Sequence, residues 1–308
     1  MRKKILYVFS TVLILLLIPL AIYTRWDIPL KDLKQKYTNE YSRFIAVAGL
    51  SIHYRIEGKG MPLLLLHGTA ASLHTWDAWV AELKSDYKII RLDMPAFGLT
   101  GPHPKRDYAI EMYVRILHDF LQKLNIQEFC IAGNSLGGLI AWEYALQYPK
   151  EVKKMILIDP AGIPIKRKTP WVFTLARTPI LNQIVRYVTP RFFFENNLKQ
   201  VYADDRKVTR ELIDRYYELG LREGNRQAFI DRSHLSTHTN HLRLSELKMP
   251  ILLQWGQEDS WIPVASVAKY KKAIPHLEAI TYPHCGHVPM EELPKETVKD
   301  AKVFLEKE

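Results

Sequence analysis

The chain is poor in the patterns that announce most binding and structural functions. Its 308 residues include two cysteines, Cys130 and Cys285, too few for a disulfide framework. There is no internal repeat, no low-complexity tract and no long disordered run, which excludes solenoids, arrays and flexible linkers. No H-E-x-x-H pair is present, and Gly133-Asn134-Ser135-Leu136-Gly137-Gly138 lacks the G-K-[ST] ending of a phosphate cradle. His234, His238 and His241 are spaced so that a helix would put them on one face, but no acidic ligand lies within the run and no cysteine is near. Neither a metal nor another cofactor is therefore expected. Lys and Arg (43) outnumber Asp and Glu (33), a net +10, yet no nucleic-acid-binding motif accompanies the charge. Nucleic acid is not an expected partner.

What is there is an α/β pattern. With 47% hydrophobic and 25% charged residues, the chain can bury one large core and still carry a subdomain. Strand-like runs fall at 44–48, 51–57, 63–66, 88–92, 128–133, 154–159, 250–255 and 277–282. Helix-like runs fall near 75–84, 108–124, 135–147, 264–273 and 291–306. This alternation predicts a mostly parallel sheet covered on both faces. The first two strands, joined by Gly49, read as an antiparallel edge hairpin. Over 163–245 the alternation stops, and helical stretches broken by prolines predict a helical insertion after the sixth strand.

The chemistry is carried by Gly133-x-Ser135-x-Gly137. An apolar run leads into it and a helix-like stretch, Leu139–Leu146, follows. That strand–turn–helix setting reads as a nucleophile elbow, with Ser135 at its tip. Glycines two residues to either side are needed because the turn leaves no room for Cβ atoms. Downstream, the strand 250–255 runs into a polar turn with Asp259, and the strand 277–282 runs into a loop with His287. A serine nucleophile needs a histidine base and a carboxylate to orient it, and the order serine, aspartate, histidine is one that such enzymes use.

With these residues the chain resembles the α/β-hydrolase superfamily over about residues 44–306. Arg91-Leu92-Asp93-Met94-Pro95-Ala96-Phe97-Gly98 is similar to the family's D-x-P-G-x-G turn, with Ala96 where glycine is usual. The resemblance implies an eight-stranded, mostly parallel sheet with helices on both faces and a helical cap after the sixth strand. It implies an oxyanion hole made by the backbone N–H groups of Thr69, after the strand ending His67-Gly68, and of Leu136. His67 reads as structural. Asp159, after the sixth strand, is the rival for the carboxylate, but Pro160-Ala161-Gly162 reads as the turn into the cap, which favours Asp259. The family's strand order separates Cys130 from Cys285, implying two free, mostly buried thiols. Dehalogenases and epoxide hydrolases carry aspartate at the position of Ser135, and dehalogenases carry tryptophan at that of Leu136. The chain is thus more similar to serine esterases, monoacylglycerol-lipase-like enzymes and meta-cleavage-product hydrolases.

The N-terminus carries a separate signal. Met1-Arg2-Lys3-Lys4 precedes an almost wholly apolar run, Ile5 to Tyr23, long enough to cross a bilayer as a helix. No small-x-small cleavage site precedes Arg25, so residues 1–23 read as an uncleaved signal anchor rather than a cleaved signal peptide. The basic flank then leaves the catalytic domain on the non-cytoplasmic side. The expected organisation is anchor 1–23, juxtamembrane segment 24–43, core 44–162 with 246–308, and cap 163–245. Residues 163–243 hold fifteen Lys or Arg and eight Asp or Glu, most of the chain's positive excess. A solvated surface is the ordinary account of such charge, and attraction to anionic lipid the functional one. Cap aromatics such as Phe192, Phe193 and Phe194 suit core packing or an acyl pocket. The expectation is a membrane-anchored serine hydrolase of lipophilic esters. Its alternatives are a carbon–carbon bond hydrolase and a non-catalytic binding protein of the same fold. The oligomeric state is open.

Overall fold

The computed structural model describes residues 22–165, 168–235 and 239–307. Eight strands form one sheet: β1 (Ser42–Val47), β2 (Leu50–Glu57), β3 (Met61–Leu66), β4 (Tyr87–Leu92), β5 (Phe129–Asn134), β6 (Val152–Ile158), β7 (Ile251–Gly256) and β8 (Glu278–Tyr282). Their spatial order is β1-β2-β4-β3-β5-β6-β7-β8. β1 and β2 form the antiparallel hairpin, β2 meets β4 antiparallel, and every other pair is parallel. Leu63 to Leu66 are wholly buried, as a strand covered on both faces requires.

The covering helices follow from the pattern. α2 (Asp77–Leu83) packs against α12 (Pro294–Glu306), and α3 (Ile110–Lys123) packs against α4 (Leu136–Gln147). α10 (Ser266–Ala273) joins β7 to β8, and the single turn α11 (Pro289–Glu292) precedes α12. Between β6 and β7 lie five helices and no strand among the described residues: α5 (Trp171–Arg177), α6 (Leu181–Val185), α7 (Arg191–Val201), α8 (Arg210–Gly220) and α9 (Asn225–Ser233). They form a cap over the sheet.

Residues 22–37 are strapped to that cap. Ile28 N–H donates to Leu221 O (2.7 Å), Glu223 N–H returns to Ile28 O (3.1 Å), and Asp27 holds Arg226 (2.7 Å). α1 (Leu30–Tyr37) buries Leu33 and Tyr37 with Leu99 and Leu219 in a small second core. The apolar run Ile5–Tyr23 lies outside the described residues except for its last two. Among the described residues no helix is long and apolar enough to cross a membrane. Cys130, in β5, and Cys285, in the loop after β8, are free and buried.

Candidate active site

The site lies at the C-terminal ends of four parallel strands. Register sets Leu66 beside Gly133, Asn134 beside Ile158, and Ile158 beside Gln254. The residues that follow these strands therefore converge: His67 after β3, Ser135 after β5, Asp159 after β6 and Asp259 just past β7. Open α/β sheets bind ligands at this edge.

Ser135 stands between β5 and α4 with φ 53° and ψ −111°, a backbone conformation that few residues other than glycine adopt. Its N–H donates to Ile158 O (3.0 Å) and its carbonyl accepts from Ala161 N–H (3.0 Å). Only glycine lets the chains meet here. A methyl group on Gly133 would stand 2.4 Å from Gly137, and one on Gly137 2.2 Å from the Leu66 carbonyl oxygen. Leu136 opens α4, where the first N–H groups have no intrahelical acceptor. The loop carrying Thr69 is pressed against the elbow, since a methyl group on Gly68 would be 3.3 Å from Ser135 Cβ.

His287 Nδ1–H donates to Asp259 Oδ2 at 2.6 Å. Asp259 Oδ1 accepts the backbone N–H groups of Trp261 (2.7 Å) and Ile262 (2.9 Å), which fixes the carboxylate. Donation from Nδ1 leaves Nε2 of His287 as the lone-pair end of the ring. That atom is buried and has no hydrogen-bond partner among the described residues, Ser135 included. Such contacts are often long until substrate is bound. Asn134, beside the serine, donates to the carbonyl oxygens of His287 (3.0 Å) and Ile158 (3.2 Å), tying the elbow to the histidine loop.

The structure also brings in Asp159. Its carboxyl, Asp259 and His287 have donor and acceptor atoms within 4.8 Å of one another. Asp159 Oδ1 accepts from Gly256 N–H (3.1 Å). Complete burial, and then the neighbouring Asp259 charge, push its carboxyl well above the usual range. Asp259 thus bonds the imidazole, and beside it burial favours the protonated form of Asp159.

Two further groups hold the frame. His67 is buried and neutral, because burial lowers its pKa. It donates from Nδ1 to Gly68 O (2.7 Å) and accepts Met94 N–H at Nε2 (2.9 Å), tying its own loop to the loop after β4. Glu292 joins the histidine loop to the cap: Oε2 accepts from Gly286 N–H (2.7 Å), and Oε1 from Ala203 (2.9 Å) and Asp204 (2.8 Å). His287 N–H itself donates to Val201 O at the end of α7 (2.7 Å). Sequence reasoning missed Asn134 and Glu292. The position before the serine hinted at the first, whereas the second becomes visible only when the cap folds back on the loop.

A cavity of about 140 Å³ opens between cap and core. It is lined from the core by Thr69, Phe97 and Trp261 and from the cap by Trp171, Phe193 and Phe229, among other mostly apolar side chains. Trp261 lies 5.5 Å from the His287 ring and 5.6 Å from Phe173, and Phe173 is 5.5 Å from Phe229, so rings run from the imidazole into the cap. The three adjacent phenylalanines split: Phe193 and Phe194 face the cavity and Phe192 is exposed. The histidine trio does not form one helix face. α9 ends at Ser233, before His234, His241 begins a separate 3-10 turn, and His238 lies outside the described residues.

A family model described as "alpha/beta hydrolase fold" matches residues 61–294. Lipase 1 of Psychrobacter immobilis is 30% identical over 261 residues, covering 80% of this chain and 77% of the lipase. The 2-hydroxy-6-oxo-6-(2'-aminophenyl)hexa-2,4-dienoic acid hydrolase of Metapseudomonas resinovorans is 25% identical, covering 89% of this chain and 94% of that enzyme. Among solved structures, a membrane phospholipase A described as a bacterial virulence factor superposes with a TM-score of 0.73 at 24% identity, covering 99% of this chain and 98% of that one. The chain belongs to the alpha/beta-hydrolase fold family, as a hydrolase with lipase and meta-cleavage-product hydrolase relatives.

Proposed function

We propose that the protein is a membrane-anchored serine hydrolase that cleaves carboxylic esters of lipophilic substrates through an acyl-enzyme intermediate. Ser135 Oγ attacks the acyl carbonyl, and His287 Nε2 takes its proton and passes it to the leaving alcohol. Asp259 fixes the imidazole tautomer and stabilises the imidazolium. The N–H groups of Thr69 and Leu136 hold the oxyanion, and the negative charge develops at the head of α4, where the helix dipole favours it. Water activated by His287 then releases the acid.

The observation that carries this reading is the apolar cavity reaching from the Thr69 loop and Trp261 into the cap. An acyl chain fits such a lining. A dienoate, with a carboxylate at one end, fits it less well, because Arg226 is the one charged lining residue among those described and Asp27 already holds it. That favours ester over carbon–carbon bond hydrolysis. The anchor rests on the run Ile5–Tyr23 with its Arg2-Lys3-Lys4 flank, which leaves the enzyme on the non-cytoplasmic side.

The test is a fluorophosphonate probe together with p-nitrophenyl esters, monoacylglycerols and a meta-cleavage dienoate. Wild type should label and prefer the esters, and Ser135→Ala should lose labelling and turnover while keeping its unfolding temperature. Labelling of a folded Ser135→Ala variant would overturn the nucleophile. Carbonate extraction of the full-length chain, with sequencing of its N-terminus, tests the anchor separately.

A further inference from the structure

The exposed apolar side chains are unevenly spread. Leu242, Met61 and Val303 stand singly, as ordinary surface residues do. A second set is gathered on one side of the cap. Ile180, Leu181, Ile184 and Tyr187, on α6 and the residues flanking it, are all exposed, Ile180 with 76% of its surface. The strapped N-terminal segment adds Ile22, Tyr23 and Trp26, the last 79% exposed. Contacts knit the two together. Arg25 N–H donates to Tyr187 O (2.8 Å), Thr24 pairs with Val188, and the Tyr23 ring lies 5.7 Å from that of exposed Phe192. A joined apolar surface of this kind marks a place of contact.

Three observations say what covers it. The first is where the chain leads: Ile22 and Tyr23, the last residues of the apolar run that begins at Ile5, lie on this face. The second is charge. Arg191 and Arg226 are held by Asp214 and Asp27, whereas Arg25, Arg177 and Arg186 around the face have no carboxylate partner among the described residues. The third is what lies behind. Val185, Thr189 and Phe193, on the inward side of the same segment, line the apolar cavity, so one layer of chain separates cavity from face.

We propose that this face, Ile180–Tyr187 with Ile22, Tyr23 and Trp26, docks into an anionic lipid bilayer and sets the cavity wall against the acyl-chain layer. The choice of bilayer rests on the anchored-hydrolase reading; the face itself does not. In the sequence, lipid attraction is the functional reading of the basic cap as a whole, beside the ordinary one of a solvated surface. The structure narrows it to an apolar face with three cations at its rim, since much of the remaining cap charge is paired within the protein. Apolar insertion with a basic rim is how interfacial helices hold a membrane surface.

The experiment uses the full-length chain reconstituted in phosphatidylcholine vesicles containing phosphatidylglycerol. An environment-sensitive fluorophore is placed by Ile184→Cys or, as control, by Leu242→Cys, the two native thiols being buried. Doxyl-labelled acyl chains should quench the fluorophore at 184 and leave that at 242 untouched. Ile180→Glu with Ile184→Glu should lower hydrolysis of vesicle-borne monoacylglycerol roughly tenfold and leave p-nitrophenyl butyrate within about twofold, given what one such side chain gains on leaving water. An unquenched fluorophore at 184 overturns the proposal. So does a blue shift there that grows with protein concentration without quenching, which would mean that a second copy covers the face. Quenching at 184 in a chain that carbonate extracts would sink the anchor and keep the face, and quenching in a chain inactive on every ester would sink the ester reading alone.

Discussion

The edge of the sheet that carries the candidate site and the cap above it are built by opposite means. At the sheet edge most polar groups have a fixed neighbour: Asp259 takes two backbone N–H groups and the imidazole, and His67 is spent at both nitrogens, on Gly68 in its own loop and on Met94 in the loop after β4. The cap has helices of 5 to 11 residues, two of them entered through Pro170 and Pro190, packed by aromatic edges such as Trp171 on Phe193. Helices so short draw their stability from packing rather than propensity. The contrast suits a division of labour in which the hydrogen-bonded strand ends hold the candidate chemical groups and the apolar cap walls the cavity. The two meet at Glu292, which holds cap and histidine loop with one carboxylate.

The largest effect expected is at the rigid edge. In Asp259→Asn the Trp261 and Ile262 N–H groups would keep the amide oxygen, leaving NH₂ toward His287 Nδ1. The ring would then carry its proton on Nε2 and could not accept from Ser135. Turnover should fall on the order of ten-thousandfold with little change in stability. Asp159→Asn should stay within about tenfold of wild type, because an amide can still accept from Gly256 N–H and donate toward Asp259. Steady-state kinetics on a p-nitrophenyl ester checks both. The reverse ranking would make Asp159 the working carboxylate.

The seam should give an intermediate effect. A glutamine at 292 turns one acceptor into a donor facing backbone N–H groups, either those of Ala203 and Asp204 or that of Gly286. If Glu292 positions His287 through its loop, Glu292→Gln should lower kcat by up to roughly a hundredfold with KM little changed. The acid limb of its pH–rate profile should also move. The cost in stability should be no more than about 3 kcal/mol. A loss of stability with kcat and the pH profile intact would leave the residue a structural tie only.

The same contrast explains what could be read from the sequence. β3, β5, β6 and β7 are mostly apolar, mostly buried runs and fell within a residue or two of their expected bounds. The fold class and the eight-stranded sheet with its edge hairpin followed from that periodicity. Ser135 and Asp259 could be picked out as candidates because each follows such a run, and His287 because it follows the shorter, half-buried β8. The place of Asp159 could not, because periodicity marks where a strand ends and says nothing of two carboxyls sharing one buried site. The outward turn of Ile180–Tyr187 and Phe192 was equally hidden, since an apolar helix face looks the same in sequence whether it meets a core or a membrane.

The smallest effect expected is in the loop after β4, where Ala96 departs from the usual glycine. Ala96 takes φ 82° and Gly98 φ 51°, so both sit in the left-handed region. Their surroundings differ. A methyl group at Gly98 would stand 2.2 Å from the Asp93 carboxyl carbon, and Asp93 accepts the N–H groups of Leu73 and Leu99 and bonds His53. Gly98→Ala should therefore cost at least about 2 kcal/mol, backbone strain adding to a clash with a fixed carboxylate. At position 96 the methyl is already accommodated. Ala96→Gly relieves about 1–2 kcal/mol of backbone strain. It loses about 0.4–1 kcal/mol through the freer unfolded chain and about 0.8 kcal/mol of methyl burial. The terms nearly cancel, and the urea midpoint should stay where it is. A clear rise would mean that strain at Ala96 dominates. A clear fall would mean that its methyl, 1% exposed on the cavity wall, is packed more tightly than a single methyl group allows for.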